Sequence, residues 1–366
     1  MEAGKTDPAV HPAWQAAQWA VLGVGVFIVV MLAFVPALGL HLLWNVLIPV
    51  APLLLALAPG IWRNVCPMAT VSMLPRKLGY SEQTRVSHLT QGRLLLGAVA
   101  LLVVIVPLRK VVLDQIGLAT AITLATVALM SAVLGLVFNS KAAWCSGLCP
   151  VYPVEMLYGS RPLLRTPNTQ CGLCTHCVAP CRDSHPEITP MTANRTPPGR
   201  IAGLLLTGGF PGFVLGWFLV PSLPFTKAVA NLHVAYGYPL LGMGISLLAY
   251  WLLRDWLRAD RQRLATLFAA AAIAIYYWFK LPDILGLGAR GSSTIPPLHG
   301  VLPAWLVWVL RVAEIGFFGW FFLLREPRPM GWQVRPPFAP SEDRAPAAAV
   351  PASTPAPALS GAPPAP

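Results

Sequence analysis

Apolar residues in this chain run together rather than alternating with polar ones. Eight such runs stand out, at about 16–38, 42–61, 93–108, 116–138, 201–220, 233–253, 264–281 and 302–324. Uncharged apolar stretches of about 18 residues or more read as transmembrane helices. The third run is the shortest and ends at Arg109 and Lys110, so it spans only if those side chains snorkel. The second contains Pro49, Pro52 and Pro59. These predict kinks or a broken helix.

The polar stretches between the runs set the organisation. A polar N-terminus occupies 1–15, and four spans built as two hairpins fill 16–138. A longer polar segment follows at 139–200, then four more spans over 201–324. A Pro/Ala-rich tail covers 325–366, and its composition predicts disorder from about 339. The first run is too long for a signal-peptide core and is expected to stay as an anchor. Composition agrees: 56% of the residues are hydrophobic and 11% charged, against about 25% charged in soluble proteins. The expected fold class is therefore an all-α integral membrane protein of about eight transmembrane helices.

The formal charge of +12 does not point to nucleic acid, because no basic stretch is interleaved with stacking aromatics. It points to topology. With the N-terminus inside, the inside segments hold 20 of the 26 Lys and Arg residues, and the outside hold 5, counting Lys280 at the end of the seventh run. Lys and Arg mark cytoplasmic loops, so both termini and the 139–200 segment are expected in the cytoplasm.

That segment carries "QCGLCTHCVAPC", with Cys171, Cys174, Cys177 and Cys181 in the pattern C-x2-C-x2-C-x3-C. The spacing lets one tight loop wrap thiolates around a cluster and matches the bacterial pattern for 4Fe–4S ligation. Zinc sites more often separate two Cys pairs by a longer loop. A reducing compartment argues against disulfides. Cys181 either completes this cluster or serves another. His176 and His185 flank the motif, where they would tune a cluster by hydrogen bonding or stand exposed.

The other three cysteines, Cys66, Cys145 and Cys149, lie in "GIWRNVCPMATVSML" and "AAWCSGLCPVYPVEML". Aligned on Cys-Pro, Val71 meets Val154, Met73 meets Met156 and Leu74 meets Leu157. Trp62 then falls opposite Cys145. Each segment follows the inward end of an even-numbered span. The pattern reads as an internal repeat: a helical hairpin, then a Cys-Pro elbow at the cytoplasmic surface. The repeat would gather three thiols, either as a second iron–sulfur site, with Cys181, water, His or a carboxylate as fourth ligand, or as a buried cysteine pair or redox-active dithiol.

Paired Cys-Pro elbows followed by this cysteine run resemble the membrane-bound 4Fe–4S ferredoxins of the NosR/NapH type, over about 42–190. The resemblance implies a membrane electron carrier of the bacterial inner membrane with a small cytoplasmic ferredoxin-like iron–sulfur module. It would exchange electrons with the quinone pool or a cytosolic donor and with a partner redox protein. As to enzymatic activity, the resemblance suggests an electron-transfer subunit, with quinol dehydrogenase as the extension. Residues 201–324 lie outside it. Two other functions remain open: a maturation or regulatory protein for a metalloenzyme, and a transporter with a regulatory cluster.

Further residues complete the picture. Arg311 and Glu314 sit mid-span at i and i+3, where they can neutralise each other or handle protons or quinone. His41, His233 and His299 fall near the outer surface, solvated or lining a quinol or metal site. The spans have no mid-helix His, which argues against b-type haem. Gly208, Gly212 and Gly216 form a stripe for close helix packing. Tyr236, Tyr238, Tyr276, Tyr277 and Trp278 read as an interfacial aromatic belt.

Overall fold

A computed structural model describes residues 12–138, 141–164, 166, 189–191, 196–221, 230–256, 258, 260–287, 303 and 305–326. Among these residues the chain is helical, and a single bridge, Thr84 to Phe138, is its one β-type pairing. Eight helices are long and apolar enough to cross a membrane. They are α1 (Pro12–Phe34), α2 (Pro36–Leu57), α5 (His88–Leu113), α6 (Gly117–Val137), α9 (Pro197–Leu219), α10 (Leu232–Trp256), α11 (Arg261–Ile284) and α12 (Trp305–Leu324). Four short helices fill the links: α3 (Pro59–Val65), α4 (Pro67–Lys77), α7 (Lys141–Leu148) and α8 (Tyr152–Tyr158). The cysteine run 171–181, and with it the expected ferredoxin-like module, lies outside the described residues, as do His176, His185, His299 and the 327–366 tail.

Several boundaries differ from the hydropathy reading for local reasons. The first turn comes at Val35 instead of near residue 40, because Pro36 opens the next helix. The third span is not short. Its N-cap is Ser87, whose side chain accepts from the Thr90 N–H, and it continues through a π turn at Arg109–Leu113. Arg93 sits on an exposed face, so it does not interrupt the helix.

The proline-rich second span is irregular, as its sequence predicts. After an opening α turn at Pro36–Leu40 it has a π segment at His41–Leu47, and it carries Pro52 inside the helix. It ends at Ala58, where φ −144° and ψ 56° break the helix before Pro59. A proline in a helix frees backbone groups that need other partners inside a membrane. Tyr277 supplies one: its hydroxyl donates to the Pro49 carbonyl at 2.8 Å and accepts from the Leu53 N–H at 3.0 Å. Tyr277 is 5% exposed. It is therefore a core residue and not part of an interfacial belt.

The core lies between α9, α11 and α12. Phe213, Ile273, Phe321 and Phe322 are buried there, together with Leu157 and Tyr158 of α8. The outer faces of α1, α6, α10 and α12 expose Val24, Leu129, Ile245 and Val312, as lipid-facing helices should. The glycine stripe of α9 packs on α10. A Cβ on Gly212 would collide with the Gly242 carbonyl, and one on Gly216 with the Tyr238 carbonyl.

Candidate functional site

The links after α2 and α6 meet, with Arg63 of the first against Ser146 and Glu155 of the second. Each is a helix–Cys-Pro–helix elbow. Cys66 is extended (φ −53°, ψ 124°), as the residue before a proline must be, and the helical stretch before Pro150 likewise stops ahead of Cys149. The first elbow presses on α6, where a Cβ on Gly135 would strike the Ser72 carbonyl. The second inserts into the bundle, with Tyr152, Met156, Leu157 and Tyr158 all buried.

The hydrogen bonds give the repeat a register that differs from the ungapped alignment. The Cys66 N–H donates to the Trp62 carbonyl at 2.8 Å, and the Cys149 N–H donates to the Trp144 carbonyl at 3.0 Å. Trp62 therefore corresponds to Trp144, not to Cys145. The second elbow reaches its Cys-Pro through a π turn that is one residue longer. Cys145 belongs to that wider turn, and the first elbow has no cysteine there. Such π bulges occur frequently at functional sites.

The three elbow cysteines come together. The Cys149 sulfur lies within electrostatic reach of both Cys66 and Cys145. All three stand as thiols and are partly exposed. Burial pushes the Cys66 thiol above its ordinary value; the Met68 and Ala69 N–H groups oppose the shift, Glu155 adds to it and Arg63 counters it. These amides face the sulfur without closing an N-cap hydrogen bond. The Cys149 thiol is also pushed up, first by burial and then by its two cysteine neighbours, against the Val151 and Tyr152 amides. In both elbows the amides at Cys+2 and Cys+3 act on the sulfur, so the repeat extends to its electrostatics.

A buried polar cluster ties the elbows to each other. Arg63 Nη1 contacts the two Glu155 carboxylate oxygens at 3.1 and 3.3 Å. Arg63 Nη2 donates to the Ser146 hydroxyl at 3.3 Å, and Nη1 reaches the Cys145 carbonyl at 3.5 Å. The guanidinium lies 5.8 Å from the Tyr152 ring centroid. From α5, Gln91 Nε2 donates to the Ser146 carbonyl. Arg63, Gln91, Lys141, Ser146 and Glu155 are all buried. Sequence reasoning missed this cluster. Its signal was one cation and one anion inside otherwise apolar elbows, at Cys66−3 and Cys149+6.

The described residues on either side of 167–188 are tied to the bundle. After α8, the Leu163 and Leu164 N–H groups donate to the Leu57 carbonyl at 2.8 and 2.9 Å. Arg161 Nη1 donates to the Phe322 carbonyl at 2.8 Å. Thr166 fills the space beside Gly60, where a Cβ would strike its hydroxyl. On the return, Pro190 lies against Gly203 in α9.

Two other expectations resolve differently. Arg311 does not pair with Glu314. Its Nε donates to the Trp278 carbonyl at 3.0 Å, and its guanidinium lies over the Trp278 and Trp308 rings at 4.9 and 5.2 Å. Glu314 is buried, and neither carboxylate oxygen has a hydrogen-bond partner among the described residues. His41 and His233 lie at the end opposite the elbows; His233 is exposed, and His41 is near Asn45, with Nδ1 to Nδ2 at 3.4 Å.

The donor set at the elbows can be weighed against a cofactor. Among the described residues no three His, Cys, Asp or Glu side chains converge to hold a single metal ion. A cubane cluster asks for a different geometry, because its irons stand at separate corners and each takes its own thiolate. Three neighbouring thiols, with amides that favour the thiolate at Cys66 and Cys149, suit that chemistry. No family model matches this chain, and no curated protein or solved structure matches it either.

Proposed function

We propose that this chain is a membrane-anchored iron–sulfur electron carrier. It would pass single electrons between a quinone-pool or cytosolic donor and a partner redox protein. Cys171, Cys174, Cys177 and Cys181 ligate one 4Fe–4S cluster in this reading. Cys66, Cys145 and Cys149 form a second iron–sulfur site beside it. The Lys and Arg asymmetry supports a cytoplasmic position for the elbow end, in the cell membrane of a bacterium.

The observation that carries the proposal is the meeting of Cys66, Cys145 and Cys149 from two elbows bolted together by Arg63 and Glu155. Thiols in a desolvated site favour the protonated form unless a cation compensates. An iron–sulfur core supplies that cation and a one-electron couple. The chain's own residues do the rest. The elbow helices orient the sulfurs, and the amides of Met68, Ala69, Val151 and Tyr152 offer positive dipoles to them. Tyr152, Met156 and Trp144 are buried against the site and exclude water. Reach supports a neighbour for this site: Cys171 is five residues on from Thr166, at most about 18 Å of extended chain.

Anaerobically purified protein tests the function directly. Reduction by a quinol or a low-potential cytosolic donor, followed by bleaching of the cluster absorption, is the expected result, with reoxidation by an added acceptor. Cys174→Ser should abolish the turnover. Reduction without onward transfer would favour the maturation or regulatory reading. Solute uptake that survives Cys174→Ser would favour the transporter reading.

A further inference from the structure

The end of the bundle opposite the elbows holds a second site, independent of the iron–sulfur reading. There α2, α5, α9 and α11 enclose a cavity of about 640 Å³. It is built across both halves of the chain and falls within the size range of small-ligand sites. Its aromatic walls include Trp44, Trp217 and Phe279. Both indole N–H groups are already used: Trp44 Nε1 donates to the Leu113 carbonyl and Trp217 Nε1 to the Val106 carbonyl, each at 3.0 Å. The rings therefore offer the cavity faces and not donors.

Beside the neutral side chains of His41 and Asn45, the polar lining is charged. Arg109, Lys110 and Lys280 line the cavity with Asp114 and Asp283. Arg109 Nε pairs with Asp114 at 2.7 Å, and Lys280 pairs with Asp283 at 3.3 Å. The Arg109 guanidinium also lies 4.3 Å from the Trp44 centroid and 5.1 Å from that of Trp217. Lys110 is different. Its ammonium rests 4.5 Å from the Trp217 ring, and among the described residues no carboxylate stands at ion-pair distance from it. Three cations thus face two carboxylates in a half-buried crevice. Uncompensated charge among transmembrane helices is costly and marks function.

We propose that this cavity binds a phosphate group, with Lys110 as its principal charge contact and the aromatic faces packing whatever apolar body the group carries. The phosphate belongs to an anionic lipid headgroup or to a free anion. The cavity lies at span ends, where Lys and Arg side chains reach the headgroup layer. A neutral ring ligand would leave the excess positive charge unanswered.

Thermal unfolding of the full chain in a neutral detergent tests this, titrated separately with phosphatidylglycerol, phosphatidylcholine and inorganic phosphate. A rise in Tm with phosphatidylglycerol alone is expected. In Lys110→Gln, half of that rise should require about fivefold more lipid, while Lys110→Arg and the exposed-elbow variant Lys77→Gln match the wild type. A Lys110-dependent rise with inorganic phosphate assigns the site to the free anion. Equal response to the two lipids, or no dependence on Lys110 with any probe, overturns the proposal. If Lys110→Gln does not fold, the wild-type comparison of the two lipids decides alone.

Discussion

Arg63 and Glu155 stand 92 residues apart in sequence and meet at 3.1 Å inside the protein, joining the two Cys-Pro elbows into one unit. Both are buried, and Arg63 also holds the Ser146 hydroxyl. Removing one partner leaves a buried charge uncompensated, which costs about 3–5 kcal/mol. Replacing both with apolar residues avoids that penalty. Arg63→Leu and Glu155→Leu should each destabilise the chain strongly, and the double variant should lose less than the sum. Thermal unfolding in a double-mutant cycle measures this; additive losses would mean the pair is not coupled.

The longer turn before Cys149 makes its own prediction. Deleting Gly147 removes one residue between Trp144 and Cys149 and leaves the first elbow's spacing. Each residue turns a helix by roughly 100°, so Cys145 should swing away from Cys66 and Cys149. Iron at the elbow site should fall while the signal of the 171–181 cluster persists. Full retention of both signals would count against a role for Cys145 as ligand.

Tyr277 bridges the proline break in α2 through Pro49 and Leu53. Tyr277→Phe leaves a buried carbonyl and N–H without that partner, at a cost of about 1–3 kcal/mol. A lowered Tm with no change in iron content is the expected pattern. An unchanged Tm would mean that other groups satisfy the break.

Arg311 and Glu314 should behave independently despite their i, i+3 spacing. Arg311→Leu loses the Trp278 carbonyl and two ring contacts and should destabilise. Glu314→Gln keeps the shape of a buried carboxyl that no partner holds among the described residues, so stability should not fall. The coupling between them should lie within about 0.5 kcal/mol. A larger coupling would contradict the observed geometry.

Most of the fold was legible because burial in lipid demands long apolar runs, and eight of them stand in the sequence. Boundaries failed where a local cap or proline overrode hydropathy, at Ser87 and at Pro36. The elbows were legible because Cys-Pro fixes the backbone before it. Their exact register was not: an ungapped alignment sets Trp62 against Cys145, and only the carbonyls of Trp62 and Trp144 reveal the extra residue. The Arg63–Glu155 pair and the Lys110 cavity depend on helices distant in sequence packing together, which no local pattern encodes. Arg109 and Lys110 read as the end of a span; their enclosure by Trp44 and Trp217 is tertiary.

The most direct measurement of the central claim is the iron and acid-labile sulfide content of anaerobically purified protein, with electron paramagnetic resonance of the reduced state. The account predicts about seven or eight irons per chain and two interacting cluster signals, with Cys66→Ser removing one of them. About four irons would confine the chemistry to Cys171, Cys174, Cys177 and Cys181. Zinc in place of iron, with no resonance signal, would contradict the electron-transfer account.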